Sequence, residues 1–301
     1  MKKYIEYYYN LYIEQISFDS SKYYILSNNK KYILKKINRE FDIDGYKRIK
    51  NALNKYKYFF NIVYNKYGNL VTTINNEQYV LLSLTNIPNE TISIYDIKND
   101  MHIRNNIVSN FREEWIKKWE QKIDYFEELL TNKKEFYSEL YPVFQYYIGI
   151  GEETIMYLKS INDKHDDLPT IQHYRLRLCS DLYYYYDPTN VVIDHCSRDI
   201  AEYIKSMIIS HNNIDEFIVI LDEYLNSHIF SNHDIKMMYA RILFPTFFFD
   251  YIEEIEMHSK KGVKEKELAR TLEKTVLCYE NGIRCLNTFF REKYNISIIA
   301  V

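Results

Sequence analysis

The residues able to do chemistry crowd into one stretch, Ile171 to Ser206. It carries His173-Tyr174-Arg175, then Ser180-Asp181-Leu182, then a β-rich run ending in a carboxylate, Asn190-Val191-Val192-Ile193-Asp194. A helix opens just after it at Arg198-Asp199-Ile200-Ala201. Asp194 is the best metal-ligand candidate, yet one carboxylate alone makes a poor Mg²⁺ site, because that ion is usually held by carboxylates together with substrate phosphates. Arg175 cannot serve as a base, since a guanidinium stays protonated in proteins. It is expected to pair with a nearby acid, Asp194 or Asp199, and so to fix its loop. His195 and Cys196 beside Asp194 suggest a metal trio, but adjacent strand residues seldom converge on one tetrahedral ion, so no zinc is assigned. No Gly-x-Ser-x-Gly or Cys-His nucleophile arrangement is present.

These groups must be held by flanking elements. Tyr23–Leu26 and Lys31–Ile37 read as strands around the turn Ser27–Lys30, with Lys35 on the second strand. A helix is expected from Ile43 to about Phe59, then strands at Phe60–Tyr64 or Val71–Ile74 and at Gln78–Leu84. The remainder reads as helical. Trp115, Trp119, Ile123, Phe126 and Leu130 form one apolar stripe on a helix from Phe111 to Lys134, and a stripe of this kind is core. A second helix is expected over Lys134–Tyr147, and Gly149-Ile150-Gly151 should break it. Ser197 can cap the helix from Arg198, with Asp199 favoured in its first turn. Pro245 should end or kink a helix, and a last amphipathic helix spans Arg270–Arg291.

Taken in order, these segments resemble the spore-coat kinase-like proteins, the CotS group and most closely its YutH-type branch. Three further stretches carry the resemblance: Tyr32–Ile37, Tyr146–Leu158 and Tyr239–Asp250. The resemblance implies an α+β, bilobal fold of the protein-kinase and aminoglycoside-phosphotransferase type. A small β-rich lobe would cover residues 1–85, and a mainly helical lobe with the catalytic loop residues 86–301. It implies that Lys35 contacts nucleotide phosphates, that Tyr79, Leu81 and Ser83 lie in a hinge facing adenine, and that Asp194 is the metal carboxylate. Arg198 and Asp199 would be structural. Such enzymes carry His-Gly-Asp, then an Asn; here His173, Arg175 and Ser180 stand in those places, so the loop looks degenerate. A rival register puts Asp181 at the catalytic position, but it leaves 13 residues to Asp194, against 19 from Arg175. Two omissions count against tight ATP binding: the Ser27–Lys30 turn has no glycine to cradle phosphates, and the acids near the following helix (Glu40, Asp42, Asp44) lie only at its start.

The expected function is therefore a spore-coat pseudokinase with a structural or scaffolding role. The alternative is an active, atypical phosphotransferase that uses ATP and Mg²⁺ on a small hydroxyl compound or protein, with Asp181 or Asp187 as a relocated base. The implied partners are other coat proteins, and the implied place is the mother-cell cytosol, then the coat. Composition agrees with a folded chain. At 301 residues, 47% hydrophobic and 27% charged, it can bury a sizeable core. A net charge of −3 gives no pull toward nucleic acid. No apolar run reaches membrane-spanning length, and the N-terminus lacks the apolar core of a signal peptide. Four cysteines form no CxxC pair and read as free thiols. The 32 tyrosines reflect the composition that AT-rich codons produce, rather than a cross-linking role.

Overall fold

The structure, a computed structural model, describes residues 1–19, 22–37, 42–56, 58–85, 90–103, 109–135, 137–162, 167–210, 213–258 and 265–299. The N-terminal region is a six-stranded antiparallel sheet. Its strands are β1 (Gln15–Asp19), β2 (Lys22–Ser27), β3 (Lys30–Lys36), β4 (Asn61–Val63), β5 (Thr72–Ile74) and β6 (Glu77–Ser83). The order is β1-β2-β3-β6-β4, with β5 also on β6. Asn28 and Asn29, with φ of 49° and 58°, make the β2–β3 turn, and Asn75 and Asn76 do the same before β6. Asparagine tolerates this left-handed region better than most side chains. Both strand candidates before β6 form; β1 and the helix α1 (Lys2–Tyr9) were not anticipated. Consequently the Ser27–Lys30 turn is the second hairpin, and the β1–β2 connection lies outside the described residues.

Alternation along β3 sorts its side chains onto two faces. Leu34 packs with Leu81 and Tyr79 under Ile5 and Tyr9 of α1. Ile33 faces the other way, into the large core it shares with Val80, Leu82 and Tyr46 of α2 (Ile43–Leu53). Lys35 therefore projects from the same face as Ile33, toward the second lobe.

That lobe is mainly helical: α3 (Phe111–Asn132), α4 (Tyr141–Ser160), α5 (Leu182–Tyr185), α6 (Arg198–Ile209), α7 (Ile214–Ser227), α8 (Asn232–Leu243), α9 (Thr246–His258) and α10 (Glu265–Tyr294). A two-stranded ribbon joins them, with β7 (Thr170–His173) antiparallel to β8 (Val191–Asp194) and Thr170 opposite Asp194. The Trp115–Leu130 stripe is buried, as expected of core. Two local expectations fail. The helix over Lys134–Tyr147 begins only at Tyr141, and it runs straight through Gly149 and Gly151 to Ser160. A Cβ on Gly151 would come within 2.6 Å of Ile123, so this glycine serves close α3–α4 packing instead of a break. Pro245 does separate α8 from α9.

Candidate functional site

The β7–β8 ribbon brings the sequence candidates to one place, and each acid there already has a partner. His173, fully buried, ends β7 opposite Val191 and is held on both ring nitrogens. Nδ1 lies 2.5 Å from Asp199 Oδ2, Nε2 lies 2.7 Å from the Tyr185 carbonyl, and the His173 N–H donates to Asp199 Oδ1 at 2.7 Å. Asp199, also fully buried, thus clamps the start of the loop. Ser197 does not cap α6 as expected; its hydroxyl sits 2.8 Å from His195 Nδ1.

Asp194 is 4% exposed. Oδ1 accepts from Trp115 Nε1 at 2.7 Å and from the His195 N–H at 2.8 Å, while Oδ2 accepts from Arg198. Burial opposes its charge, but Arg198, Arg241 and the His195 N–H outweigh this and hold the carboxyl below the usual range. Arg198 also donates to the carbonyls of His173 and Tyr174. Arg175 binds neither Asp194 nor Asp199. Its Nε and Nη2 donate to Asp250 of α9 at 2.5 and 3.0 Å, a two-pronged carboxylate pair. Ser180 Oγ closes a turn by accepting the Arg177 N–H at 3.0 Å. Beside Arg175 lies a 420 Å³ cavity whose wall includes Lys205, Glu202 and Asp250. Burial outweighs the attraction of Glu202 and pushes the Lys205 ammonium down to about 7.

Lys35 reaches across the lobes. Its ammonium donates to Asp187 Oδ2 at 2.7 Å, Thr189 Oγ1 at 2.8 Å and Asn190 Oδ1 at 3.1 Å. Asp187 Oδ1 accepts from the Thr189 N–H and hydroxyl. Asp42 caps α2 through the Gly45 N–H, and Glu40 lies outside the described residues. Tyr79, Leu81 and Ser83 are not hinge residues in the sense expected. They are flanked in β6 by Lys36, Leu34 and Tyr32 on one side and by Thr72, Val63 and Asn61 on the other. A strand paired on both edges has no backbone group left for an adenine. The chain leaves the sheet at Leu84, and Leu84 lines a 540 Å³ cavity between the lobes with Ile33, Lys22, Lys31 and Asp181.

Among the described residues the fit to Mg²⁺ is poor. Asp194 is spent on Arg198 and Trp115, and both oxygens of Asp187 are taken by Lys35 and Thr189. Three partners escaped sequence reasoning: Asp250, Asp187 and Trp115. Asp250 had a signal, since an acid ending the apolar run Phe247–Phe249 must find a cation. Trp115 had none, because its indole N–H is invisible in a helical stripe.

A β-rich lobe on a mainly helical one, with a His-led loop between, is the architecture of the aminoglycoside phosphotransferases. Over 94% of both chains the fold resembles an aminoglycoside phosphotransferase from Alicyclobacillus acidocaldarius, with a TM-score of 0.54 and 9% identity. It likewise resembles a spectinomycin phosphotransferase in complex with ADP and spectinomycin, with a TM-score of 0.54, 12% identity, and coverage of 91% of this chain and 92% of that one. At such identities the likeness shows the fold alone. Residues 2–289 match the family described as "Spore coat putative kinase YutH". The chain belongs to that family of spore-coat kinase-like proteins. It is 29% identical over 163 residues to the endospore coat-associated protein YutH of Bacillus subtilis, a match spanning 49% of this chain and 48% of that relative. No described helix is long and apolar enough to cross a membrane.

Proposed function

We propose that this chain is a coat protein that keeps the phosphotransferase fold without phosphoryl transfer, serving as a scaffold for other coat proteins after synthesis in the mother-cell cytosol. The observation that carries this reading is Arg175. Where the His-x-Asp register calls for a carboxylate that orients the attacking hydroxyl, a guanidinium is bound by both prongs to Asp250. Asp194 supports the same conclusion, as a buried strut between Trp115 and Arg198. Lys35 acts in this reading as a clamp between the lobes, whose boundary we place near residue 85. The hinge then begins at Leu84.

A second reading, an atypical phosphotransferase, is favoured by one observation: Asp181 lines the 540 Å³ cavity between the lobes. The test is ADP formation from ATP with Mg²⁺ or Mn²⁺, together with the thermal shift each nucleotide produces. The scaffold reading expects no turnover above background. Metal-dependent turnover that disappears in Asp181→Asn and Lys35→Ala would overturn it.

A further inference from the structure

A second cluster lies away from Lys35 and Arg175, where the turn after β8 meets the start of α8. His195 does not share an ion with Asp194; its ring faces Asp167 and Asp234. His195 Nε2 stands 3.5 Å from Asp167 Oδ1 and 3.1 Å from Asp234 Oδ1, and His233 Nε2 stands 3.4 Å from the same Asp167 oxygen. Asp167, His195 and His233 are all buried, and their ligand atoms lie within 4.8 Å of one another. We propose that Asp167, His195 and His233 form a three-ligand divalent transition-metal site matched best to Zn²⁺, with Asp234 at its margin beside His195.

The spacing is the first argument. Zinc–ligand bonds of about 2.0–2.1 Å in a tetrahedron place neighbouring donor atoms about 3.3 Å apart. The separations of His195 and His233 from Asp167, 3.5 and 3.4 Å, lie close to that value. Hydrogen bonding alone would favour separations nearer about 2.8 Å.

Charge is the second. Asp167 and Asp234 both face the buried His195 ring, so positive charge is favoured there, and a bound dication would supply it. Two imidazoles and one carboxylate, leaving a fourth position open, also suit zinc better than Mg²⁺, which prefers oxygen alone.

Preorganisation is the third. Asp234 spends Oδ2 on the Ser231 N–H and hydroxyl in the capping box of α8, and its Oδ1 faces both His195 Nε2 and the Cys196 thiol. His195 Nδ1 lies 2.8 Å from Ser197 Oγ, the outer-shell partner that fixes the ring with Nε2 toward the ion. A 630 Å³ cavity lined by Asp167, His195 and Asp234 provides an entry path. The bound ion would tie three segments together: the one before β7, the β8–α6 turn and the N-terminus of α8.

The test uses the full chain, stripped with a chelator and titrated with Zn²⁺ by calorimetry. Thermal denaturation is followed in parallel, and Co²⁺ serves as a spectroscopic probe. Expected are one equivalent bound, a higher melting temperature, and the intense visible bands of tetrahedral Co²⁺. Asp167→Asn and His233→Gln should each weaken binding by at least about 10-fold. His102→Gln, at the exposed rim of the same cavity, should not. Absence of binding to folded wild type would overturn the proposal, as would affinity unchanged in both ligand variants. Should a variant fail to fold, the Co²⁺ spectrum of wild type decides alone, since weak octahedral bands exclude the site.

Discussion

Asp194→Asn separates a structural carboxylate from a metal ligand. The substituted amide cannot satisfy its surroundings in either orientation. With its oxygen toward Trp115 Nε1 and the His195 N–H, its NH₂ group meets the guanidinium of Arg198; flipped, it meets the two N–H donors. Either way two donors face each other, and Arg198 stays buried without its counter-charge. Breaking one side of a buried ion pair costs about 3–5 kcal/mol. In a chain of this size that lowers the melting temperature by roughly 5–8 °C. Urea denaturation followed by tryptophan fluorescence is the assay, since Trp115 is one of only two tryptophans and touches the site directly. No nucleotide or metal is added. Arg198→Met and the double variant complete a cycle in which the pair should couple by about 1–3 kcal/mol. A metal ligand behaves differently, because removing its charge in the absence of metal leaves stability unchanged or raised. An Asp194→Asn variant as stable as wild type, yet deaf to Mg²⁺ and ATP that stabilise wild type, would refute the structural account.

Three other perturbations follow from the same geometry. Lys35→Met leaves the buried Asp187 carboxylate with Thr189 alone, which should cost about 1–3 kcal/mol and speed hydrogen exchange in β3 and around Asp187–Asn190 without nucleotide. Lys205 releases its proton in the folded state at about 7, whereas the unfolded chain keeps it to about 10.5. The unfolded state therefore binds more protons between those values, and this residue makes stability rise with pH across that window; Lys205→Met should remove the rise in paired denaturation curves. Gly282→Ala in α10 ought to improve helix propensity by about 1 kcal/mol, yet its Cβ would lie 2.3 Å from Ile208, on a stiff β-branched side chain. A net loss of about 1–2 kcal/mol is expected, and a more stable variant would show that α6 and α10 can part freely.

Much of the fold was legible because it is written in short-range patterns. The alternation of β3, the turn asparagines, the Trp115–Leu130 stripe and the break at Pro245 each follow from residues a few positions apart. Errors came where tertiary packing overrode a local signal. Gly151 looks like a helix breaker, but α4 needs it for close approach to α3. Ser197 looks like a cap, but its hydroxyl goes to His195. The site was half legible for the same reason. His173, Arg175, Asp194 and Asp199 could be picked out as a constellation, whereas their partners could not. Asp250 stands 75 residues from Arg175, Asp187 stands 152 from Lys35, and Trp115 stands 79 from Asp194. The hinge at Tyr79, Leu81 and Ser83 rests on the resemblance alone, because sequence does not show that strands flank β6 on both edges.

On the scaffold reading proposed above, the partner assignments account for a fold kept without its chemistry. A phosphotransferase site must leave carboxylates free to meet metal and substrate, so it tolerates acids that are poorly satisfied in the empty enzyme. In this chain four such acids are claimed from within: Asp199 by His173, Asp194 by Arg198 and Trp115, Asp187 by Lys35, and Asp250 by Arg175. Arg198 and His173 belong to α6 and the ribbon, Lys35 to the sheet, and Asp250 to α9, so these contacts join every layer that meets at the cleft. On that reading Lys35 holds the sheet to the helical lobe, and the other pairs brace the helical lobe itself. On the same reading, a carboxylate at position 175 would not by itself confer turnover, because Asp250 would lose its cation and Lys35 would still be bound to Asp187.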